Sequence, residues 1–241
     1  MVYNSPKRVY NKGIFKEDKY IIMKLSKETV AKLKNFASIN PNLVYDGSGK
    51  RKTISEAKNI LASADVDIDK ALSIYDVNEF LSIVGLVDDG DITINENSCT
   101  ISNGKRKVRY VFADPNILTA PQKDITMPPA EYTLNLTQED IEAIHKASST
   151  LGHNTLRIAF TDSNSGSIKV VDSTGASKND FTLQEISSGD TYAESLRFSF
   201  DILINNLKLI PGNYTVYLSS KLISKWEGDS ANYFIALEGT S

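Results

Sequence analysis

The sequence predicts an α+β fold in which two halves, each of roughly 110 residues, repeat one order of elements. Three observations support this prediction. An amphipathic helix begins each half, at residues 26–38 and 136–150. Short strands with alternating polarity and one short apolar helix follow each long helix. An aperiodic stretch at residues 113–130, which holds four of the seven prolines, separates the halves as a linker.

The first helix begins at Ser26, a typical N-cap residue, and carries Lys27 and Lys34 on one flank of its polar face. At about 100° per residue, the apolar side chains share a separate face. That face consists of Val30, Leu33, Phe36 and Ala37. The helix therefore has one surface for packing and a lysine-bearing surface for contact with something else.

The rest of the first half is predicted to be mostly strand. Residues 59–68 alternate apolar and polar side chains, as a half-buried strand does. Residues 74–87 are predicted to form a short apolar helix. Residues 91–112 are predicted to form three strands, with Asn103-Gly104 at a tight hairpin turn.

The second half is expected to repeat these elements. They are a capped helix at 136–150, a hairpin at 155–173, a strand at 194–202, a short helix at 202–213 that ends at Pro211-Gly212, and strands flanking Lys225-Trp226. Aligning the long helices places Leu136, Glu139, Ile141, Ile144 and Ser149 on Leu25, Glu28, Val30, Leu33 and Ser38. An internal duplication explains this order, and we expect domains at residues 23–128, including the connector 113–128, and at 129–241.

Composition excludes several classes of protein. The chain has 241 residues, a net charge of −3 and 41% hydrophobic residues, which is ordinary for a globular protein with a core. The single cysteine, Cys99, excludes an internal disulfide and fits a reducing compartment. No apolar run approaches the roughly 18 residues of a membrane span, and no signal peptide is evident.

Residues 1–22 differ from the rest of the chain, because they hold five basic and two acidic residues while the remainder is net acidic. Three interpretations stay open for this segment. It is a disordered tail, an extension produced by a start codon set upstream of a true start at Met23, or a DNA-binding arm.

No motif in the sequence indicates an active site. The stretch GSGKRKT (47–53) fails as a phosphate-binding loop, because Val44 and Arg51 stand where that motif needs glycine and Ser/Thr. We interpret it as a hairpin loop. Asp65, Asp67 and Asp69 lack the glycine and glutamate of a calcium loop, so we interpret them as the solvent face of a strand.

The remaining candidates for chemistry have ordinary explanations. His145 and His153 have no neighbours that suggest catalysis, and we expect both to be solvated. We interpret Trp226, the only tryptophan, as a packing residue. No spacing of histidine or cysteine indicates a metal site. We therefore predict a protein that is not an enzyme and holds neither a metal nor a cofactor.

Five segments, in order, carry a resemblance to a known family: MKLSKETVAKLKNFASIN, SIYDVNEFLSIVGLVDDGDI, ADPNILTAPQKDITMP, IPGNYTVYL and WEGDSANYFIALEG. They resemble the sliding clamps of T-even-type bacteriophages, the DNA polymerase processivity factors related to proliferating cell nuclear antigen. The resemblance runs from Met23 to about Gly239. It implies a DNA-clamp fold with two helices on a curved antiparallel sheet in each domain, and a ring of three chains around duplex DNA.

The resemblance also implies the surfaces that such a ring uses. The helices would line the hole and face DNA with basic side chains at Lys24, Lys27, Lys32, Lys34, His145, Lys146 and Lys208. Phosphate contacts of this kind carry no sequence information, so a ring could slide. A pocket for the C-terminal tails of the polymerase and of an ATP-driven clamp loader would be formed by Ile117, Leu118, Pro121, Ala236 and Leu237.

Further implications concern the setting. A clamp of this family acts in the host cell cytoplasm as a viral non-structural protein, and activation of viral late transcription through late-transcription factors is an additional implied role. The alternative is a non-enzymatic structural or binding protein of the phage particle, whose basic helices are ordinary surface. A nuclease is disfavoured because no carboxylate–metal constellation is visible.

Overall fold

The computed structural model describes residues 22–68, 70–160, 165–186 and 199–239. The expectations for residues 1–21, for Asp69 and for the first part of the 194–202 strand lie outside these described residues. The described chain forms three α-helices and 17 strands, mostly in antiparallel pairs. Among those helices, none has the length and apolar character needed to cross a membrane.

The first half contains both of its predicted helices, α1 (Lys27–Ile39) and α2 (Val77–Gly85). Its strands are β1 (Ile22–Met23), β2 (Leu43–Tyr45), β3 (Arg51–Ile54), β4 (Ile60–Ala64), β5 (Leu72–Ile74), β6 (Asp91–Ile94), β7 (Ser98–Ser102) and β8 (Lys107–Val111). The three strands predicted within 91–112 are confirmed. Gly104 turns the β7–β8 hairpin with φ +82°, a conformation that glycine adopts without strain.

The second half has one α-helix, α3 (Gln138–Leu151), and a 3₁₀ turn at Ile204–Asn206. Its strands are β9 (Tyr132–Leu136), β10 (Thr155–Phe160), β11 (Gly166–Val171), β12 (Phe181–Ile186), β13 (Ser199–Leu203), β14 (Tyr214–Ser219), β15 (Ile223–Glu227), β16 (Asn232–Ala236) and β17 (Glu238–Gly239). Lys225 and Trp226 lie inside β15, where the sequence placed them between strands.

The prediction of a short helix at 202–213 was wrong. β13 extends to Leu203, and only the 3₁₀ turn separates it from an irregular segment that ends at Pro211. Asparagine is a weak helix former, and the amide oxygen of Asn206 accepts a 3.4 Å hydrogen bond from Asn59 Nδ2 instead. The two halves therefore differ at this one element, where the first half has α2.

The strand predicted over 59–68 is shorter than expected and ends at Ala64. Its partner β3 begins opposite that residue, at Arg51, so no backbone is available to pair with the chain beyond it. The alternation of burial nevertheless continues, with Val66 buried between the exposed Asp65 and Asp67. The period of the side chains thus outlasts the hydrogen-bonded strand.

The strand pairings of the two halves correspond one to one. The order β1-β6-β7-β8 in the first half matches β9-β14-β15-β16 in the second. Likewise β2 pairs with β5 and β3 with β4, as β10 pairs with β13 and β11 with β12. The chain therefore has the expected α+β fold of two topologically similar units. The boundary between them at residue 128 stays a prediction.

A single six-stranded sheet, with the order β3-β4-β16-β15-β14-β9, joins the halves. The inner junction is the antiparallel pairing of β4 with β16, in which Ile60 lies opposite Ile235 and Ala62 lies opposite Tyr233. All four side chains are at most 2% exposed. The two halves thus share backbone hydrogen bonds and a common core.

A hydrogen-bond network beside the inner junction attaches α1 to the second half. Tyr233 Oη donates to Asn35 Oδ1 at 2.9 Å and accepts from the Ile210 N–H at 3.0 Å. Asn35 Nδ2 donates to the carbonyl oxygen of Lys208 at 2.9 Å. Tyr214 Oη donates to the Ile210 carbonyl at 2.5 Å. Because these groups are largely removed from water, each bond is costly to leave unmade.

Candidate nucleic-acid interface and connector pocket

Helix α1 presents two lysines whose side chains have no partner within the described residues. Its N-terminus is capped by Ser26, whose hydroxyl accepts the Thr29 N–H at 3.0 Å. Lys27 and Lys34 are exposed. On the opposite side, buried residues including Leu33 and Phe36 hold the helix against the core. The expected arrangement of packing face and lysine-bearing flank is therefore present.

Helix α3 repeats this arrangement with a stronger cap. The Thr137 hydroxyl accepts the Asp140 N–H, while the Asp140 carboxylate accepts the Thr137 N–H, which forms a capping box. Ile144 is fully buried, and His145 and Lys146 are exposed without a partner in the described chain. Counting from the two N-caps, Lys146 occupies the position in α3 that Asn35 occupies in α1.

The prediction that Lys32 faces DNA was wrong. Its side chain is only 11% exposed, and Nζ lies 2.6 Å from the Glu28 carboxylate and 2.9 Å from the carbonyl oxygen of Asp65. The long aliphatic stem lies along the apolar side of α1 while the ammonium group finds oxygen partners. This lysine ties α1 to the end of β4 and is not available to a phosphate.

Lys24 is exposed but lies in acidic surroundings. Its ammonium group is 2.8 Å from Asp89 and 3.8 Å from Asp91, and the hydrogen bond to Asp89 raises the pKa of Lys24. The two carboxylates outweigh its single positive charge. Lys24 therefore adds no net positive potential to the surface at the start of the chain.

Lys208 takes part in the contact between the halves. Its ammonium group donates to the carbonyl oxygen of Ser38 in the last turn of α1. The free carbonyls at a helix C-terminus carry partial negative charge, so a cation is stabilising there. The sequence suggested this role for Lys208 at the end of its own helix, but the structure places it at the end of α1.

The connector leaves the first half along β5 and crosses the end of α1. Ala113 N–H donates to the carbonyl oxygen of Ser73 at 3.0 Å, and Thr119 N–H donates to Asn42 Oδ1 at 3.0 Å. Between these contacts Ile117 is 69% exposed, whereas Leu118 is only 8% exposed. The two neighbouring apolar residues therefore have different roles, since Ile117 is open to a partner and Leu118 is part of the packing.

The other pocket residues are distributed on both sides of the inner junction. Pro121 lines a groove of about 550 Å³ between the connector and the β2–β3 loop. That groove contains neither Ala236 nor Leu237. Ala236 N–H instead donates to the Asn59 carbonyl, and Leu237 N–H donates to the Leu222 carbonyl, both at the end of the shared sheet.

Leu222 is a residue that the sequence gave no reason to select. It lies in the β14–β15 turn with φ +59°, is 48% exposed, and borders the buried Leu237. A non-glycine residue in this left-handed conformation is uncommon, and a leucine there gives no turn signal in the sequence. An exposed apolar side chain held beside the end of β16 adds to the apolar surface near the connector.

Other sequence interpretations were also tested. Trp226 is fully buried, and its Nε1–H donates to Ser224 Oγ at 3.0 Å, which confirms the packing role. His145 is exposed as expected, but the expectation for His153 was wrong. His153 is buried because its ring lies against the Asn179 carbonyl, 2.9 Å from Nε2. Among the described residues no cluster of three or more His, Cys, Asp or Glu side chains could hold a metal ion.

Comparison with known proteins decides the family. Residues 133–239 match the family model described as gp45 sliding clamp, C terminal. The chain is 34% identical over 230 residues to the sliding clamp of Enterobacteria phage T4, which covers 91% of this chain and 98% of that protein. The chain belongs to the phage sliding clamp family. The clamps of Escherichia phage RB69 and Vibrio phage KVP40 are 33% and 30% identical to it over similar spans.

Solved structures place this clamp in the wider ring-clamp fold. It resembles proliferating cell nuclear antigen from Thermococcus kodakaraensis with a TM-score of 0.64 at 10% identity, covering 91% of this chain and 99% of that chain. It resembles the β clamp of Helicobacter pylori, solved with a DNA ligase peptide, with a TM-score of 0.65 at 13% identity, covering 92% and 67% of the two chains. The expected clamp fold is thus confirmed.

Proposed function

We propose that this chain assembles into a three-chain ring that encircles duplex DNA and tethers the phage replicative polymerase as a processivity factor, after loading by an ATP-driven loader. Membership of the sliding clamp family supports the function. The observation that carries the assembly is the inner junction together with two equivalent edges. β8 corresponds to β16 and β12 corresponds to β4, and within the described residues β8 and β12 each end a sheet.

A junction between chains follows from this equivalence. If β8 of one chain pairs with β12 of the next as β16 pairs with β4, the six domains form a closed ring without unpaired edges. Closure removes the exposed backbone that makes edge strands prone to aggregation. Val111 on β8 is 63% exposed and Phe181 on β12 is 36% exposed. Exposed apolar side chains on two edges are what such an outer junction would bury.

Helix α2 supports the same outer junction. It packs beside β8 through Phe80, whose ring lies 5.3 Å from that of Tyr110. It corresponds to the 3₁₀ turn that precedes the Lys208–Ile210 segment beside α1. Leu86, which follows α2, is 63% exposed. In a ring, α2 would contact α3 of the next chain, so an apolar surface there has a partner.

Within the ring, the helices would supply the positive charge that faces DNA. Lys27, Lys34, His145 and Lys146 are the candidates whose side chains are exposed and unpaired in the described structure. Duplex DNA carries one negative charge per about 1.7 Å of its axis, and a few lysines per chain give weak, sequence-independent attraction. The remaining acidic surface would discourage DNA from binding elsewhere.

The test of this function is retention on DNA that has no ends. A clamp loaded onto nicked circular DNA is expected to stay bound at about 200 mM salt, because a closed ring remains linked without tight contacts. Direct phosphate contacts would lose about 10³-fold in affinity between 50 and 200 mM salt. Cutting the circle should release the clamp, and gel filtration of labelled clamp with DNA measures both states.

The control is DNA cut before loading, with protein bound to both ends to block sliding. Blocked linear DNA should retain the clamp as the circle does. Equal loss of clamp from circular and unblocked linear DNA at the same salt would contradict the topological account and favour an ordinary binding surface.

We further propose that the apolar residues of the connector and of the last strand bind C-terminal segments of the polymerase and the loader, and those of late-transcription factors that carry such a segment. Ile117, Pro121, Leu222 and Ala236 supply partly or fully exposed apolar surface at this end of the shared sheet. Leu118 and Leu237 are buried beneath it. A short apolar segment would bury this surface on binding.

Replacing Ile117 with aspartate is expected to remove polymerase stimulation without unfolding the clamp. Ile117 is 69% exposed, so the fold does not depend on it, whereas a carboxylate would weaken an apolar contact by about 30-fold if the residue is a hot spot. Leu118→Asp is a poorer test, because Leu118 is buried and its replacement would also destabilise the connector. Primer-extension length on loaded circular DNA measures the effect.

The matched control is Thr126→Asp, which adds the same charge to an exposed connector position. Its stimulation should equal that of the unmodified clamp. Full stimulation by the Ile117→Asp variant would place the partner site elsewhere.

A further inference from the structure

The inner junction is uncharged. β4 consists of Ile-Leu-Ala-Ser-Ala and β16 of Asn-Tyr-Phe-Ile-Ala, so neither strand contributes an ionisable acid or base other than the buried tyrosine. On the face of the sheet away from the core, Asn232 lies opposite Ser63 and Phe234 opposite Leu61. Inside one chain, therefore, the pairing of the two halves does not depend on charge.

The corresponding free edges are charged, and with opposite signs. β8 begins at Lys107 and also carries Arg109, and both side chains are exposed. β12 carries Glu185, which is also exposed, and Asp180 immediately precedes the strand. Neither Lys107 nor Glu185 has a hydrogen-bond or ion-pair partner within the described part of the chain. The charge on each edge is thus available to a second chain.

These charges lie on the same face of their sheets. On β8, Lys107, Arg109 and Val111 alternate with the less exposed Val108 and Tyr110, so the two bases point away from the core. On β12, Glu185 lies opposite Ser167, which alternates with the buried Ile168 on β11. Side chains of directly opposite residues in antiparallel strands share a face, so Glu185 also points away from the core.

The direction of the strands brings two of these charges together. In the inner junction the start of β16, Asn232, pairs near the end of β4, at Ser63. By equivalence the start of β8 meets the end of β12. Matching the two hairpins residue by residue places Lys107 where Asn232 stands, since Ser102 pairs with Lys107 as Glu227 pairs with Asn232. Glu185 stands one residue before the end of β12, as Ser63 does on β4.

We propose that Lys107 of one chain and Glu185 of the next form a cross-strand ion pair at each outer junction, where the inner junction has Asn232 and Ser63. Arg109, two residues along the same face, adds positive charge to this edge. The partner of the β8 edge is thus a second copy of this chain, selected by charge. This proposal rests on the ring assembly proposed above and adds that the junctions between chains, unlike those within a chain, respond to salt.

The test is a charge swap, read by sedimentation of the full chain without DNA. Lys107→Glu and Glu185→Lys are each expected to weaken every outer junction by about 5-fold, because each places like charges opposite one another. The double variant should regain most of the association, since it restores opposite charges in reversed order. Raising the salt from 0.1 to 1 M should weaken the unmodified ring and strengthen the single variants.

Lys27→Glu is the control, because it makes the same charge change at an exposed position on α1 and should leave association unchanged. Circular dichroism of each variant shows that it is folded. If the single variants associate like the unmodified chain, or if the double variant is no better than either, the ion pair is wrong while the ring stands. If the unmodified chain is monomeric at all concentrations and salts tested, the ring proposal fails as well.

Discussion

Replacing Tyr233 with alanine is expected to lower the free energy of unfolding by about 4 kcal/mol, the cost of removing a fully buried aromatic side chain from a core. The side chain lies at the inner junction, opposite Ala62, and packs 6.0 Å from the ring of Tyr214. Its loss would also leave the Ile210 N–H and the Asn35 amide without their partner. Urea denaturation followed by circular dichroism measures the change.

Tyr233→Phe separates the hydrogen bonds from the packing. It keeps the ring but removes the hydroxyl group, and we expect a loss of about 1–3 kcal/mol because a buried backbone N–H is left unpaired. Burial also raises the pKa of Tyr233 to about 12, so the hydroxyl stays protonated and able to donate at neutral pH. Tyr75→Phe is the control, since Tyr75 is 62% exposed and should tolerate the change. Equal stability of the Tyr233→Phe variant and the unmodified chain would show that the network adds nothing to the junction.

Replacing Lys27 and Lys34 together with alanine is expected to reduce the direct affinity of the assembled clamp for duplex DNA by at least an order of magnitude at 50 mM salt. Each lost phosphate contact lowers the slope of log affinity against log salt by about 0.9, which is about one decade of affinity at that salt. Both residues are exposed on α1 and hold no other residue in place. Fluorescence anisotropy with labelled duplex, measured across a salt series, gives the slope.

Lys146 is better tested alone. It occupies the α3 position equivalent to Asn35, which lies beside the inner junction, so its replacement could alter the outer junction as well as DNA binding. The control for the double variant is Lys123→Ala with Lys221→Ala, which removes the same charge from exposed positions in the connector and the β14–β15 turn. An unchanged salt slope in the Lys27/Lys34 variant would remove these lysines from the DNA-facing surface.

The parts of this fold that were predictable from sequence are those determined locally. Ser26 and Thr137 are cap residues followed by apolar residues at helical spacing, and both helices start where these signals place them. The Asn103-Gly104 turn likewise set the β7–β8 hairpin. A cap, a period or a turn residue acts within a few positions of itself, so a single sequence is enough to find it.

The parts that were missed depend on contacts distant in sequence. The pairing of β4 with β16 joins residues more than 170 positions apart, and no periodicity encodes such a register. Lys32 appeared to be a surface lysine because its partner, the carbonyl oxygen of Asp65, is brought near only by the fold. Ile204–Asn206 has the apolar character of a helix start, but β13 uses its first neighbours and the amide of Asn206 bonds elsewhere.

The inner junction has a kinetic consequence for a ring of this design. Since β4 and β16 belong to one chain, their pairing is intramolecular, and tethering gives the two edges an effective concentration on the order of millimolar. Edges of equal intrinsic affinity on separate chains meet only at the concentration of the protein in the cell. Dilution or a loader's pull would therefore separate subunits at the β8 and β12 edges long before any chain comes apart at β4 and β16, so a loader need recognise only the junctions that can yield.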